Sequence, residues 1–231
     1  MPKLKIKQKT IQTIIFDFDG TLAKLNIDFQ KMREAITELI DAHGIMANQI
    51  QTNFVLEMID AAVDILTQRS KKDAEIFFNE ANAIIEKTET DAADKGELFI
   101  YTKELLKTLP AMNIACAIIT RNCAKAVKIV FPDILTYCPV VVCRDDVNRV
   151  KPHPEHIRLA LKKLGSSAKG TLMIGDHPID IKTGHNAGTL TCGVLTGRCT
   201  REEFIAAGAD IVLANASDIL LSPPFFEGGL S

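Results

Sequence analysis

The sequence predicts an α/β protein: a doubly wound, Rossmann-like parallel sheet core with a small all-helical cap domain inserted into it. Two observations predict this class. Short β-branched runs recur along the chain with helical segments between them, a pattern typical of a parallel sheet flanked by helices. Between the first two runs, about 70 residues have no convincing strand and carry apolar residues at helical spacing.

Six strands are expected in the core. Their near-continuous hydrophobicity indicates strands that are covered on both faces, as in a parallel sheet. In chain order they are QTIIFD (12–17), NIACAIIT (113–120), CPVVVC (138–143), GTLMIGD (170–176), LTCGVL (190–195) and ADIVL (209–213).

The inserted segment predicts a separate helical lobe. Apolar residues spaced three and four apart indicate helices over 29–43, 50–68 and 72–90. A further helix over 97–109 is expected to lead back to the sheet and to stop before Pro110. We therefore expect a core domain made of 1–24 and 97–231 and a cap domain over 25–96. Only the tail SPPFFEGGLS is expected to be a terminal segment without regular structure.

Bulk composition narrows the function classes. A chain of 231 residues that is 47% apolar can bury one core plus a smaller lobe, and a net charge of −2 lacks the basic surplus typical of nucleic-acid binding. No apolar run approaches the roughly 18 to 20 residues that span a bilayer, and Asp17 interrupts the only candidate signal segment. Six cysteines without a CxxC pair predict free buried thiols. A cytoplasmic protein with no nucleic-acid or membrane partner is expected.

The stretch IIFDFDGTLAK places two carboxylates at the end of the first strand. Successive side chains of a strand alternate between its faces, so Asp17 and Asp19 point the same way. Gly20 then allows the backbone to turn. Taken alone, this segment is as typical of a helix cap or turn at a strand end as of a functional site.

Three later strands are followed by further polar residues. Thr120 precedes a predicted helix whose free amides would bind an anion, Lys151 stands before Pro152, and Asp176 and Asp180 follow Gly175. Each alone has an ordinary explanation: a helix N-cap, a solvated lysine or a turn. Because ligands collect outside the carboxyl ends of strands in a doubly wound sheet, their agreement predicts a single site.

With these residues in view, the sequence resembles the haloacid dehalogenase superfamily, and within it the phosphoglycolate-phosphatase-like branch. Four family motifs are matched: DxDGT, a Ser or Thr after a hydrophobic strand, a lysine before a proline, and GDxxxD. The residues that match them are Asp17, Asp19, Gly20 and Thr21; Thr120; Lys151 and Pro152; and Gly175, Asp176 and Asp180. The resemblance spans roughly 13–213 and implies a doubly wound sheet with a helical cap inserted after the first motif.

The resemblance also implies roles. Asp17 is the nucleophile that forms an aspartyl-phosphate, and Asp19 is the acid and base that protonates the leaving oxygen and then activates water. Mg²⁺ is held by the Asp17 carboxylate, the Asp19 backbone carbonyl and the Asp176 carboxylate. Asp180 does not bind the metal itself but orients a water molecule or Asp176. The residues expected around the phosphate are Gly20, Thr21, Thr120, Arg121, Asn122 and Lys151, with Thr120 and Lys151 also expected to take part in catalysis.

These expectations converge on a Mg²⁺-dependent phosphatase of a small phosphorylated metabolite, with phosphoglycolate as the first substrate to try. The aspartate at position 19 disfavours relatives that cleave carbon–halogen or carbon–phosphorus bonds. Two alternatives remain: a sugar phosphomutase, which needs a bisphosphate activator, and a regulatory or binding relative with a silent site. Lys24, Arg33 and Arg121 are candidate specificity contacts, since the cap is expected to close over the site, and the oligomeric state is left open.

Overall fold

The computed structural model describes residues 4–221, so the predicted tail SPPFFEGGLS lies outside the described residues. The strands are β1 (Lys5–Ile6), β2 (Lys9–Thr10), β3 (Thr13–Phe16), β4 (Ala23–Lys24), β5 (Glu97–Leu98), β6 (Ala115–Ile119), β7 (Val141–Val142), β8 (Thr171–Gly175), β9 (Leu190–Val194) and β10 (Ile211–Leu213). The helices are α1 (Phe29–Ala42), α2 (Val55–Arg69), α3 (Lys71–Ala93), α4 (Thr102–Ala111), α5 (Ala124–Val130), α6 (Ile134–Tyr137), α7 (Glu155–Leu164), α8 (Pro178–Ala187) and α9 (Arg201–Ala206).

Six strands form one parallel sheet in the order β10-β9-β8-β3-β6-β7. The chain runs outward from β3 through β6 to β7, then returns to the other side of β3 and continues through β8, β9 and β10. This reversal of direction beside β3 is the topological switch point of a doubly wound sheet. The predicted α/β fold class is confirmed.

The central strands are apolar because both faces of the sheet are covered. Ile14, Ile15 and Phe16 of β3 are fully buried, and so are Met173 and Ile174 of the neighbouring β8. The near-continuous hydrophobic runs in the sequence follow from this double burial. Where the runs end, the chain turns at the carboxyl edge of the sheet, and the polar residues described below begin.

The chain divides into two compact units, one holding the chain up to Leu25 and from Gly96 onward, the other Asn26–Lys95. Residues 26–95 contain three α-helices and one short 3-10 turn and no strand. Asp28 begins α1 by accepting a hydrogen bond from the Lys31 amide at 3.0 Å, and the Ser70 hydroxyl does the same for α3. The apolar stripes predicted from spacing are buried within this unit, as at Ile36 and Phe77.

The segment 97–109 is not one helix as predicted. Residues 97 and 98 form β5, which pairs antiparallel with β4, and the helix begins only at Thr102. The expected stop before Pro110 is also wrong, since α4 continues to Ala111. Pro110 lacks the amide hydrogen that would donate to the carbonyl four residues earlier, yet the helix runs one residue past it.

Two smaller differences have local causes. The second helix of the inserted unit begins at Val55 and not near residue 50, because the Thr52 hydroxyl accepts a hydrogen bond from the Phe54 amide and holds a turn there. The antiparallel pair β1 and β2 was not predicted. Lys7 and Gln8 between them both have positive φ angles, 47° and 64°, which gives the tight turn that such a hairpin needs.

All six cysteines are free thiols, as predicted, and five of them are buried while Cys199 is partly exposed. Across residues 4–221, no helix combines the length and the apolar character that crossing a bilayer requires.

Candidate active site

The site is built at the carboxyl edge of the sheet, where four strands end close together. Asp17 directly follows β3, Thr120 follows β6, and Asp176 follows β8. Lys151 lies in the loop between β7 and α7. Because these strands are parallel neighbours, their ends bring together residues that are far apart in sequence.

Lys151 joins two of the predicted carboxylates. Its Nζ lies 2.6 Å from Asp17 Oδ1 and 2.7 Å from Asp180 Oδ1. The side chains of Lys151 and Asp180 are only 3% and 1% exposed, so these ion pairs form away from water. Burial alone would lower the pKa of Lys151, but the two carboxylates outweigh burial and raise it. The lysine is therefore a fixed positive charge beside Asp17.

Three carboxylates form a group that could hold a cation. One oxygen from each of Asp17, Asp176 and Asp180 lies within 4.8 Å of the others, and no other such group of ligand atoms occurs within residues 4–221. Burial raises the pKa of Asp176 to about 9, with the charges of Asp17, Asp180 and Asp19 adding to the effect. Burial also raises the pKa of Asp17 to about 6, although Lys151 lowers it. The three carboxylates therefore favour a bound cation. Their oxygens are hard donors, which fit Mg²⁺.

Glycines allow the Asp176 carboxylate to lie where it does. A β-carbon at either Gly20 or Gly197 would overlap the carboxylate of Asp176. Gly20 also has a φ of 78°, which other residues rarely adopt. Asp176 is thus held between the turn after β3 and the loop after β9.

Asp19 has a different hydrogen-bond partner from these three carboxylates. Its Oδ1 accepts a hydrogen bond from the Leu25 amide at 2.9 Å, and Lys151 is not bonded to it. Burial raises the pKa of Asp19 to about 6, even though the Leu25 amide lowers it. The two aspartates of the first motif therefore have different partners, which suits them to different chemical roles.

The loop after β6 carries the residues predicted to bind phosphate. Thr120 Oγ1 accepts a hydrogen bond from the Asn122 amide at 3.1 Å, which leaves the hydroxyl hydrogen able to donate. Asn122 Nδ2 and Thr21 Oγ1 are buried and have no hydrogen-bond partner among the described residues. Buried polar atoms are usually satisfied, so these two call for a water molecule or a ligand atom as partner.

Arg121, predicted as a phosphate contact, also connects two loops of the site. Its Nη1 donates to the backbone carbonyl of Lys151 at 2.8 Å, linking the loop after β6 to the lysine loop. Two amides at the start of α5, where the sequence predicts amides free to bind an anion, donate hydrogen bonds within the protein. The Ala124 amide donates to Asp145 Oδ2 at 2.8 Å, and the Ala126 amide donates to the Cys123 sulfur.

Lys24 and Arg33 are the other two candidate contacts. Lys24 is an exposed residue of β4, opposite Glu97 in the strand pair. Arg33 belongs to the inserted helical unit, where its Nε donates to the carbonyl of Asn53 at 3.0 Å.

Sequence reasoning missed four residues around the turn that follows Asp19. They are Tyr101, Thr102, Thr196 and Gly197, which contact residues 20–22 or approach Asp176. Thr196 and Gly197 follow β9, so the rule that directed attention to four strand ends would have found them at a fifth. No comparable signal marks Tyr101 and Thr102.

Comparison with known proteins identifies similar sequences and folds. The family model for Haloacid dehalogenase-like hydrolase matches residues 14–194. A protein named Pyrophosphatase PpaX from Bacillus cereus (strain AH820) is 30% identical over 218 residues, covering 91% of this chain and 95% of the relative.

Two solved structures share the fold. A hydrolase from Pseudomonas syringae superposes with a TM-score of 0.65 at 24% identity, covering 90% of this chain and 96% of that one. A predicted phosphoglycolate phosphatase from Haemophilus somnus 129PT superposes with a TM-score of 0.60 at 20% identity, covering 91% and 96%. At these identities the two structures support the fold alone.

Proposed function

Because the chain belongs to the haloacid dehalogenase-like hydrolase family, and is therefore an enzyme of the superfamily that the sequence predicted, we propose that it is a cytoplasmic, Mg²⁺-dependent phosphatase of a small phosphorylated metabolite. One observation carries the proposal: Asp17 meets a buried lysine at 2.6 Å while Asp19 is bonded elsewhere. The free thiols support a reducing compartment.

Asp17 is the proposed nucleophile. Its carboxylate attacks phosphorus and forms an aspartyl-phosphate, which water then hydrolyses. The approach of two anions costs on the order of 4 kcal/mol at a few ångströms and an effective dielectric constant near 20. Lys151 offsets part of this repulsion, because its ammonium group already lies within 2.6 Å of the attacking carboxylate.

Mg²⁺ would be held by the carboxylates of Asp17 and Asp176 with the backbone carbonyl of Asp19, and when bound it supplies positive charge that offsets the phosphate. Asp180 is better suited to support than to ligation. One of its oxygens accepts from Lys151, and the other accepts from the His177 amide at 3.2 Å. These bonds occupy both oxygens of Asp180 and fix the lysine, so Asp17 and Asp176 are the carboxylates that would hold the metal.

Asp19 is the proposed acid and base. Its raised pKa, about 6, allows a protonated fraction near neutral pH that can donate to the leaving oxygen. The resulting carboxylate then removes a proton from the attacking water. Thr120, Asn122 and Lys151, with the turn at Gly20 and Thr21, are proposed to hold the phosphoryl oxygens. Arg121 supports this set through its bond to the Lys151 carbonyl.

The substrate is proposed from two sources. The resemblance of the sequence favours phosphoglycolate, and the name of the Bacillus relative favours inorganic pyrophosphate. Both carry a phosphoryl group on a small, strongly anionic molecule, so the same site chemistry serves either. A sugar phosphomutase remains the alternative reaction, because it uses the same two aspartates.

A phosphate-release panel tests the proposal. Phosphoglycolate, inorganic pyrophosphate and several sugar phosphates are assayed with Mg²⁺ and with a chelator, for the wild type and for Asp17→Asn and Asp19→Asn. Asp133→Asn is the matched control, since Asp133 is an exposed residue paired with Lys103. We expect metal-dependent release that both site variants lose and the control keeps.

Specific outcomes would contradict the proposal. Activity that survives Asp17→Asn or chelation would exclude the mechanism. Transfer of phosphate between positions of a sugar, without net release, would identify a phosphomutase. Absence of any turnover, with the fold intact, would favour a silent binding relative.

A further inference from the structure

Three successive backbone carbonyls after Asp19 each accept a hydrogen bond from the hydroxyl of a distant residue. The donors are Thr196 to Gly20 at 2.5 Å, Tyr101 to Thr21 at 2.9 Å and Thr102 to Leu22 at 2.5 Å. Two donors come from the beginning of α4 and its preceding residue, and the third comes from the loop after β9. The turn is thus held from two parts of the fold.

The Thr102 bond is buried, and the Tyr101 and Thr196 bonds are partly buried. Thr21 and Leu22 are fully buried, so their carbonyls cannot turn to water if the hydroxyls are removed. Burial raises the pKa of Tyr101 to about 12, so its phenol stays protonated and donates at neutral pH. The Phe99 amide adds a fourth bond, to the Leu22 carbonyl at 3.0 Å.

The turn held in this way lies between Asp19 and the residue that Asp19 binds. Leu25, whose amide donates to Asp19 Oδ1, comes directly after β4, and the turn at residues 20–22 connects the two. A shift of the turn would therefore change the direction of the Asp19 carboxylate without touching Asp17, whose partner is Lys151.

We propose that Tyr101, Thr102 and Thr196 are positioning residues for Asp19, which hold the 20–22 turn so that the Asp19 carboxyl stays aligned with the leaving oxygen. The inference rests on the proposed function, since it needs Asp19 to act as the acid. It goes beyond that function by assigning the alignment of one catalytic group to hydroxyls that do not touch the substrate.

Leaving-group dependence distinguishes this role from a general structural one. Nitrophenolate leaves with little protonation, whereas an alkoxide needs a proton from the acid. p-Nitrophenyl phosphate and benzyl phosphate are similar in size and differ in this respect. A misaligned acid slows hydrolysis of benzyl phosphate selectively, while a loosened fold slows both.

The experiment compares kcat/KM on the two esters for the wild type, Tyr101→Phe, Thr102→Val and Thr196→Val. We expect each variant to lose about 10-fold on benzyl phosphate and less than about 2-fold on p-nitrophenyl phosphate. Thr102→Ser keeps a hydroxyl and should restore the wild-type ratio. Thr171→Val is the matched control. Thr171 begins β8, is buried, and donates its hydroxyl hydrogen to the Ser167 carbonyl.

A double-variant comparison tests the link to Asp19 directly. In the Asp19→Asn background, Tyr101→Phe should cause no further loss of the residual hydrolysis of either ester, because the group that it positions is already lost. Equal losses on both esters, or a ratio that Thr171→Val also changes, would overturn the inference. If the wild type hydrolyses neither ester, the hydrogen-exchange comparison below decides the inference, and the phosphate-release panel decides the proposed function.

A measurement without turnover gives a second check. Hydrogen exchange at the Leu25 amide, observed by NMR, should be about 10-fold faster in Tyr101→Phe and Thr196→Val than in the wild type. The rate in Thr171→Val should match the wild type. Unchanged exchange in both site variants would show that the hydroxyls do not hold the turn.

Discussion

Lys151 balances the negative charge of the buried site. It contacts two carboxylates whose oxygens lie within 4.8 Å of each other and of Asp176. Carboxylates buried at such separations repel each other strongly, and an ion pair in the interior is tolerated only when its partners are well placed. The lysine thus has two separable effects, one on stability and one on phosphoryl transfer.

Replacement of Lys151 by Met should remove both effects. The side chain keeps a similar length but loses its charge, so Asp17 and Asp180 are left without a cation. We expect the free energy of unfolding to fall by about 3 kcal/mol and phosphatase activity to be lost. Chemical denaturation and phosphate release measure these. Lys162→Met, at an exposed position on α7, is the control and should change neither. Full activity in Lys151→Met would refute the assigned role.

A substitution at Gly197 tests the opposite case, in which an added methyl group disturbs the site. Gly197→Ala places a β-carbon against the Asp176 carboxylate, which must move. We expect the Mg²⁺ concentration for half-maximal activity to rise about 10-fold while the protein stays folded. Gly188→Ala serves as the control, because Gly188 has a positive φ but open space around it. Unchanged metal dependence in Gly197→Ala would show that Asp176 does not hold the metal.

At the residue scale, the sequence located candidate residues but not their partners. Asp17, Thr120, Lys151 and Asp176 could be selected because each follows a predicted strand. That Lys151 would bond Asp180 as well as Asp17 could not be read from spacing, since it depends on the reach of a side chain across two loops. The partners of Thr196 and Tyr101 lie 176 and 80 residues away in sequence. Such pairings are set by tertiary packing.

At the element scale, the start of α8 combines a helix cap with a site residue. His177 begins the helix by accepting a hydrogen bond from the Ile179 amide, and Asp180 accepts one from the His177 amide. The same Asp180 carboxylate accepts from Lys151 with its other oxygen. The position of the lysine is therefore tied to the first turn of a helix, which is more rigid than a loop.

Asp180→Asn separates the capping of α8 from the positioning of Lys151. The amide oxygen can replace one acceptor, but the negative charge is lost, so the lysine is held less firmly. We expect kcat to fall about 10-fold to 100-fold while the helix persists. Glu203→Gln is the matched control, because Glu203 closes the same kind of capping box on α9 without touching the site. A kcat equal to that of the wild type would limit Asp180 to capping.

Elements were predictable where local pattern and packing agree. The central strands β3, β6, β8 and β9 follow apolar runs that burial on two faces requires. The prediction failed over 97–101, because helical spacing of apolar residues there was overridden by pairing of β5 with β4. Strand pairing between segments more than 70 residues apart leaves no local periodic signal, so such short strands are invisible to spacing.

At the scale of the whole molecule, the carboxylate group couples stability to pH and metal. The folded protein raises the pKa of Asp176 from 3.8 to about 9. Between these values the unfolded chain has lost the proton while the folded protein keeps it. Since the folded state then binds more protons, the stability of the metal-free protein falls as pH rises through this window. Asp17 and Asp19, each raised to about 6, steepen the fall in its lower part.

Metal binding should reverse this dependence, because Mg²⁺ binds ionised carboxylates and competes with protons. We expect Mg²⁺ to raise the melting temperature little near pH 5 and increasingly toward pH 9. Without metal, stability should fall by up to about 1.4 kcal/mol per pH unit for each retained proton. Melting curves with Mg²⁺ or with a chelator measure both.

Asp176→Asn removes the group that holds the proton, so it should flatten the metal-free fall in stability above about pH 6 and abolish the response to Mg²⁺. Asp133→Asn should change neither behaviour, and equal stabilisation by Mg²⁺ at both ends of the pH range would contradict the competition between proton and metal.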